Sequence, residues 1–406
     1  MVVRVPTWME QYARQALYAG LIALACSALC VLFAPKVVLF GYLAAFLLWS
    51  GIPLGCAAIL MLHHVVGGRW GQALRPVVDA AAMTTPLLVL LFVPIALGLS
   101  YLYPWSLEAG LHDELIARKR AYLNVPFFLI RAAAFLLVWS GMAWLLDRWS
   151  SRKRNDEAMA SRSAPRLAVP ALIIYVITVS FAALDWIGTL EPHWYSSILG
   201  LYILIGQVLS AMAVMVLFAA MPSEEWHGWR GRIQSATAEH GKDLRSGMPP
   251  PGDVPSANTF NDLGTLLLTL VVLHAYFAYS QFFIIWNGNL PHEILWYTPR
   301  ISGLWGWVAI LLILIHFALP FALLLSRDIK RHAWTLRRVA LLILAARCIE
   351  ATWFVLPSYD GAVISTLPFA LLSMLGVGGV WIGVFAFGWR RRITRLATIP
   401  GEEGIS

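Results

Sequence analysis

The sequence is poor in charge. Only 13% of its 406 residues are Asp, Glu, Lys or Arg, whereas 59% are hydrophobic, and the mean hydropathy is +0.70. A typical soluble domain has roughly 25% charged residues. This composition therefore excludes an ordinary soluble protein and indicates a chain that crosses a membrane several times.

Cysteine is also scarce, with four in the chain at Cys26, Cys30, Cys56 and Cys348. All four fall within apolar stretches, and the sequence has neither a CxxC pair nor the Cys/His spacing of a zinc site. These absences argue against iron–sulfur clusters, c-type haem and structural zinc. We therefore expect no metal ion and no cofactor bound by this chain. The net charge of +8 does not indicate a nucleic-acid partner.

What the sequence does contain is ten apolar segments that reach or approach the ~20 residues needed to cross a bilayer. Glycine and proline inside such continuous runs are typical of membrane helices, whereas the strands of a barrel alternate over about ten residues. We predict an all-α polytopic membrane protein with about ten transmembrane helices, the first of them uncleaved. The segments lie near Tyr12–Phe33, Val37–Val66, Ala80–Tyr101, Val125–Leu146, Leu167–Leu190, Ser197–Met221, Phe260–Trp286, Gly303–Ser326, Ala333–Leu356 and Thr366–Gly388.

Lysine and arginine are distributed unevenly between alternate loops. The side that holds both termini has 23 of them and the other side has 5, while Arg131 and Arg347 lie inside segments. Positively charged loops stay in the cytoplasm during insertion. We therefore predict that both termini are cytoplasmic, which agrees with an even number of helices.

Two polar stretches divide the chain. Residues 147–166 form a charge run, and residues 222–259 are rich in glycine, proline and mixed charge. Such segments are usually solvated linkers. The expected organisation is a first half at 1–221 with six helices and the cytoplasmic loop 147–166, a cytoplasmic linker at 222–259, and a second half at 260–406 with four helices and a basic tail.

The stretch from Asp185 to Gly200 joins two apolar segments yet is rich in polar residues. A carboxylate at Asp185 costs about 2.5–3.5 kcal/mol on insertion scales, so it should face protein or water rather than lipid. Glu191 and His193 follow at the outer turn, where His193 is placed to exchange protons with the external side. The alternative is an ordinary interfacial turn.

Four more ionisable residues lie deep in the later segments. Arg347 and Glu350 are three residues apart and share a helix face, and His274 and His316 lie near mid-depth in the seventh and eighth segments. Three interpretations stay open. Arginine–carboxylate pairs can tie helices together, carboxylates and histidines can form a proton relay, and two histidines can hold a haem.

A candidate proton relay on the second interpretation comprises eight residues. Arg131, in the outer third of the fourth segment, would stabilise nearby carboxylates, since an opposite charge within about 4–6 Å favours the ionised form. The others supply the acids and bases. The full set is Asp185, Glu191, His193, Arg347, Glu350, His274, His316 and Arg131.

The seventh segment also carries a polar and aromatic group: Tyr276, Tyr279, Ser280 and Gln281. Tyr276 and Ser280 share a helix face because they are four residues apart, and Tyr279 lies beside them. Aromatic rings with a few polar donors can bind a quinone head group, which is flat, apolar and carries two carbonyls. Aromatic packing between helices is the alternative.

Several motifs resemble a known family. They read DWIGTLEPHWYSSILGLY from Asp185, HHVVGGRW from His63, KRAYLNVPFFLIR from Lys119, HAYFAYSQFFIIWNGNLP from His274 and HFALPFALLLSRDIKR from His316. Together they resemble the NrfD/PsrC-like membrane subunits, of the ActF type, of bacterial alternative complex III, a quinol:cytochrome c oxidoreductase. The resemblance extends over nearly all ten segments.

The resemblance implies a fold and a setting. The fold would be two four-helix bundles, made by the second to fifth and the sixth to ninth helices, with the first and last helices flanking them. The chain would reside in the bacterial cytoplasmic (inner) membrane, beside an NrfD-like sister subunit, an iron–sulfur protein and c-type cytochromes. It would have no redox centre of its own and would serve as scaffold and proton path, with quinol or quinone present in the complex.

Two other functions remain open on the sequence. A secondary transporter would use the same buried charges to bind an ion or a small substrate at mid-membrane. A purely structural subunit would use them only to hold helices together.

Overall fold

Helices account for all the regular structure in the part of the chain that is described. The structure is a computed structural model, and it describes residues 7–67, 75–107, 113–152, 157–220, 256–359, 361 and 363–397. Within those ranges ten helical stretches are long and apolar enough to cross a membrane. The prediction of an all-α multi-pass membrane protein is confirmed.

We number these stretches span 1 to span 10 in chain order. Short helices at Glu114–Arg118, Pro291–Ile301 and Arg327–Arg331 lie between them. The spans are Glu10–Val31, Pro35–Val66, Val77–Leu97, Val125–Arg148, Leu167–Leu190, Leu199–Ala219, Ala257–Gly288, Gly303–Leu325, Ala333–Ser358 and Ser365–Arg392.

The helices extend further into the polar stretches than the sequence suggested. The charge run at 147–166, expected to be a loop, is helical wherever it is described, because one helix covers Val125–Arg152 and the next covers Glu157–Trp186. Alanine, glutamate, methionine and arginine are all strong helix formers, so charge alone does not end a helix. Most of the linker at 222–259 lies outside the described residues.

Spans 2 and 6 form the centre of the molecule and pack against each other. In their most apolar windows 83% and 72% of residues are buried, more than in any other span. Span 2 also contacts spans 3, 5, 9 and 10, and span 6 contacts spans 5, 7 and 9. The two helices approach closely because Gly55 has no side chain where it meets the Gln207 backbone. Small residues permit such close helix packing in membranes.

Spans 1 and 10 pair at the edge of the molecule. The backbone of Gly20 in span 1 touches the backbone of Gly379 in span 10, and a Cβ added to Gly379 would lie 2.5 Å from the Ala16 carbonyl oxygen. The contact therefore depends on the absence of a side chain at this position. Whether the remaining spans form two separate four-helix bundles, and on which side the termini lie, stay predictions.

We predict that Gly379→Ala weakens the attachment of span 1. The added methyl group meets backbone atoms, which cannot rotate away, so the variant should lose about 1–3 kcal/mol of stability. Thermal unfolding of the purified protein in detergent measures the loss. Gly388→Ala in the same span is the control, since a Cβ there meets nothing within 4 Å. Equal unfolding midpoints for the two variants would contradict the close contact.

Candidate functional site

Two buried carboxylates occupy matching places in the chain. Asp185 in span 5 and Glu350 in span 9 are 0% and 2% exposed. Each lies seven residues before a proline, Pro192 and Pro357, and each helix ends soon after its acid in a short 3₁₀ turn. Pro357 lies inside its 3₁₀ turn and cannot donate the next helical hydrogen bond, whereas Pro192 follows the turn Gly188–Leu190 and keeps the chain from resuming the helix there.

Asp185 is held by an arginine on the neighbouring span. Arg131 Nε and Nη2 donate to the two carboxylate oxygens at 2.8 and 3.1 Å, and the Tyr122 hydroxyl donates to Oδ1 at 2.8 Å. The guanidinium group also lies 3.8 Å above the centre of the Tyr122 ring. Burial and the Asp185 carboxylate raise the pKa of Tyr122, so this hydroxyl remains a donor. The arrangement locks Asp185 in an ion pair.

Glu350 lies in a larger group of polar side chains. The Tyr202 hydroxyl donates to Oε1 at 2.7 Å, and Arg347 donates to Oε2. His274 Nε2 lies 3.4 Å from Oε1, and His316 Nδ1 lies 3.7 Å from Oε2. We call these five residues, which are all buried and come from spans 6, 7, 8 and 9, the Glu350 cluster.

Arg347 is shared between three side chains, whereas Arg131 donates to the Asp185 carboxylate and to the Tyr122 carbonyl. Its Nε donates to Ser210 Oγ at 3.2 Å, and its Nη1 contacts both Glu350 and the His274 ring, 3.2 Å from Nε2. The guanidinium group fits against span 6 because Gly206 has no side chain there, and a Cβ at that position would lie 2.6 Å from it. The cation therefore connects the carboxylate to an imidazole.

The same geometry bears on metal and haem binding. His274, His316 and Glu350 offer ligand atoms that all lie within 4.8 Å of one another. Arg347 already contacts two of these groups, so a permanent cation stands where a divalent metal ion would have to bind. The two imidazole rings touch, with 4.5 Å between their centres, which leaves no space for a porphyrin between them. The donor set fits neither group well.

A cavity of about 890 Å³ adjoins the cluster between spans 7 and 8. Its inner wall includes Glu350, His274, His316 and Tyr202. Its outer part is lined by three aromatic residues that are 60%, 62% and 71% exposed on the surface of the chain: Tyr276, Tyr279 and Trp307. Since these belong to membrane-length helices, the cavity opens sideways toward lipid.

Of the four residues of the seventh segment that suggested a quinone site, two line the cavity and two do not. Tyr276 and Tyr279 line the cavity. Gln281 is buried and accepts a hydrogen bond from Ser196, which ties span 7 to the turn before span 6. Ser280 is partly buried and is not among the residues that line the cavity.

The outer turn forms a third polar group. The His193 ring contacts the Asp113 carboxylate at 2.7 Å, and Lys119 Nζ donates to the Pro192 carbonyl at 2.7 Å. The Ile116 N–H donates to the Asp113 carboxylate and, with the His193 ring beside it, lowers the pKa of Asp113 below its ordinary value. Glu191 lies at the same turn, partly buried.

Among the hydrogen bonds and ion pairs of the described residues, none joins Asp185 or His193 to the Glu350 cluster. The eight predicted relay residues therefore fall into separate groups.

Sequence reasoning missed the tyrosines and one arginine. Tyr122 and Tyr202 donate to the two buried acids, and a tyrosine near an apolar segment gives no signal of such a partner. Arg300 is one of the five basic residues predicted to lie in loops on the side opposite the termini, but it is fully buried. Its guanidinium donates to the Trp296 and Phe354 carbonyls at 2.5 and 2.7 Å, and burial lowers the pKa of Arg300 to about 9. It holds the helix Pro291–Ile301 against span 9.

No protein-family model and no curated protein sequence matches this chain. The resemblance to NrfD/PsrC-like subunits stays a prediction, carried by the motifs quoted above. Function is therefore inferred from the residues of this chain and their geometry.

We predict that Asp185→Asn destabilises the protein by about 3–5 kcal/mol, because it leaves Arg131 buried without its counter-charge. The double variant Arg131→Met/Asp185→Leu removes both charges and should recover most of the loss. Thermal unfolding in detergent is the measurement. Glu114→Gln, which breaks the exposed pair with Arg118, serves as control and should cost less than about 1 kcal/mol. An Asp185→Asn variant as stable as this control would contradict a structural role for the pair.

Proposed function

We propose that this chain is an integral membrane subunit of a quinol-oxidising respiratory complex, an ActF-type, NrfD/PsrC-like protein without a redox centre of its own. It serves as scaffold and carries protons through the Glu350 cluster. The observation that supports this most directly is the cluster itself, a buried carboxylate in contact with two imidazoles, a phenol and a guanidinium at the inner wall of a cavity.

The chemistry of the cluster suits proton exchange. One carboxylate and one guanidinium make the cluster neutral overall, so an added proton gives it a net charge of +1, and the Glu350 carboxylate beside both imidazole rings stabilises that proton on either ring. Imidazole is the side chain that changes charge most readily near neutral pH. Because the groups are in contact, the cluster takes up and releases a proton as a unit. Buried acids of this kind commonly mark proton pathways in membrane proteins.

Asp185 has a different role in this proposal. Its two oxygens are occupied by Arg131 and Tyr122, and Arg131 makes no contact with an imidazole among the described residues. Asp185 therefore fixes spans 4 and 5 together, whereas Glu350 takes part in proton movement.

The proposal includes an arrangement and a set of partners. Spans 2–5 and 6–9 would form two four-helix bundles, with spans 1 and 10 flanking them and both termini in the cytoplasm of a bacterium. The pairing of spans 1 and 10 with each other supports a flanking position. The partners would be an NrfD-like sister subunit, an iron–sulfur protein and c-type cytochromes in the inner membrane.

A pull-down tests the setting. The tagged chain, extracted in mild detergent, should co-purify with a large iron–sulfur subunit and with c-type cytochromes visible in the absorption spectrum. A colourless, solitary protein would contradict the proposal. It would favour a secondary transporter, which works without partners and is tested by transport in liposomes.

We predict that Glu350→Gln lowers proton uptake coupled to quinol oxidation by about a hundredfold, the usual size of a lost acid–base group. The variant keeps the size of the side chain but leaves Arg347 buried without its counter-charge, so uptake is compared only in complexes that still co-purify with their partners. Glu293→Gln, in the helix outside span 8, is the matched control and should leave uptake unchanged. Full proton uptake by an assembled Glu350→Gln complex would remove the cluster from the proton path.

A further inference from the structure

One imidazole nitrogen in the cluster has no partner. His316 Nε2 is buried and makes no hydrogen bond to any described residue, although the ring is only 5% exposed. Its other nitrogen, Nδ1, lies 3.7 Å from the Glu350 carboxylate. A proton on Nδ1 is favoured by that carboxylate, so the neutral ring keeps an acceptor lone pair on Nε2. A buried acceptor without a donor is costly unless something else supplies the hydrogen bond.

The backbone around this histidine is irregular. Residues Ile313–Ala318 of span 8 form a π-helix, with His316 inside it. In a regular α-helix the N–H of residue 320 would donate to the His316 carbonyl, but Pro320 has no N–H. The missing hydrogen bond accounts for the change from α-helix to π-helix at this point. Single π-turns inside membrane helices are frequent at functional sites because they displace side chains from the regular pattern. Here the displaced side chain is one that lines the cavity.

The remaining walls define what the cavity accepts. They are apolar and aromatic, with Tyr276, Tyr279 and Trp307 toward the lipid side and Trp353 further in. A flat ring fits between such side chains, and an apolar tail can leave the cavity sideways into the bilayer. A phosphate head group is a poorer match, because Arg347 already donates to Glu350, His274 and Ser210.

We propose that this cavity binds the ring of a hydroquinone lipid, with one ring hydroxyl donating a hydrogen bond to His316 Nε2. The inference rests on the proposed function, because a quinol-oxidising complex lies in a membrane that contains such a lipid. The proposed function does not say where on this chain the lipid binds, and the inference names that site. An acceptor nitrogen recognises an O–H donor and not a carbonyl. The site therefore prefers the reduced lipid to the oxidised quinone.

Binding to the full chain in detergent tests this without any mutation. Three probes are compared by titration calorimetry under anaerobic conditions, with empty micelles subtracted: a short-chain prenyl hydroquinone, its quinone, and its dimethyl ether. The ether has the same ring and tail but cannot donate. The hydroquinone should bind about tenfold more tightly than the other two, the value of one buried hydrogen bond. Equal binding of all three, or tighter binding of the quinone, would overturn the proposal.

A variant of the chain tests whether His316 Nε2 is the hydrogen-bond acceptor. His316→Phe keeps a ring of similar size and should lower the affinity for the hydroquinone to that of the ether, leaving the ether itself unaffected. His332→Phe, at an exposed histidine outside the cavity, is the control and should change neither affinity. Unchanged hydroquinone binding by a folded His316→Phe protein would exclude His316 as the acceptor. Displacement of the hydroquinone by added phosphatidylglycerol would assign the cavity to phospholipid instead.

The outcomes separate this inference from the proposed function. If the chain co-purifies with its redox partners but binds the hydroquinone no more tightly than the quinone and the ether, only the proposed binding site is overturned. Preferential binding by a chain that purifies alone supports the site and contradicts membership of a respiratory complex.

Discussion

The cost of burying charge away from water governs how this chain is built. An ionised carboxylate in a membrane-length helix is tolerated only when an opposite charge and hydrogen-bond donors surround it. The structure provides these at Asp185 and Glu350, with an arginine and a tyrosine hydroxyl at each. Both sites also bring different spans together, so the neutralisation of charge and the packing of helices depend on the same contacts.

The two sites differ in how the arginine is used. Arg131 gives a bidentate clamp to one carboxylate, whereas Arg347 divides its donors between Glu350, His274 and Ser210. Among the described residues, the contacts of Glu350 include two imidazoles whereas those of Asp185 include none, and the Glu350 cluster lines a cavity. A fixed ion pair stabilises helices, and a shared one can change its protonation. This difference is the physical basis for proposing a scaffold function for the Asp185–Arg131 pair and a proton function for the Glu350 cluster.

Much of the fold was accessible from the sequence, because hydropathy and helix length report directly on membrane spans. The spacing of three placed Arg347 and Glu350 on one helix face but left open whether they pair with each other or with neighbouring helices. The pairing of Arg131 with Asp185 joins residues on different helices and depends on packing that no local pattern reveals. The same holds for Tyr202, for the burial of Arg300 and for the cavity, whose walls come from separate spans. The charge run at 147–166 is helical where it is described because its residues have high helix propensity, which a high density of charge does not reveal.

Infrared difference spectroscopy of the purified chain in lipid tests most directly whether the Glu350 cluster changes its protonation. Spectra are recorded between mildly acidic and mildly alkaline pH with isotope-labelled glutamate or histidine. We predict glutamate and histidine bands that follow pH together and disappear in Glu350→Gln. Difference spectra that are identical in the wild type and in Glu350→Gln would contradict the assignment of proton exchange to this cluster.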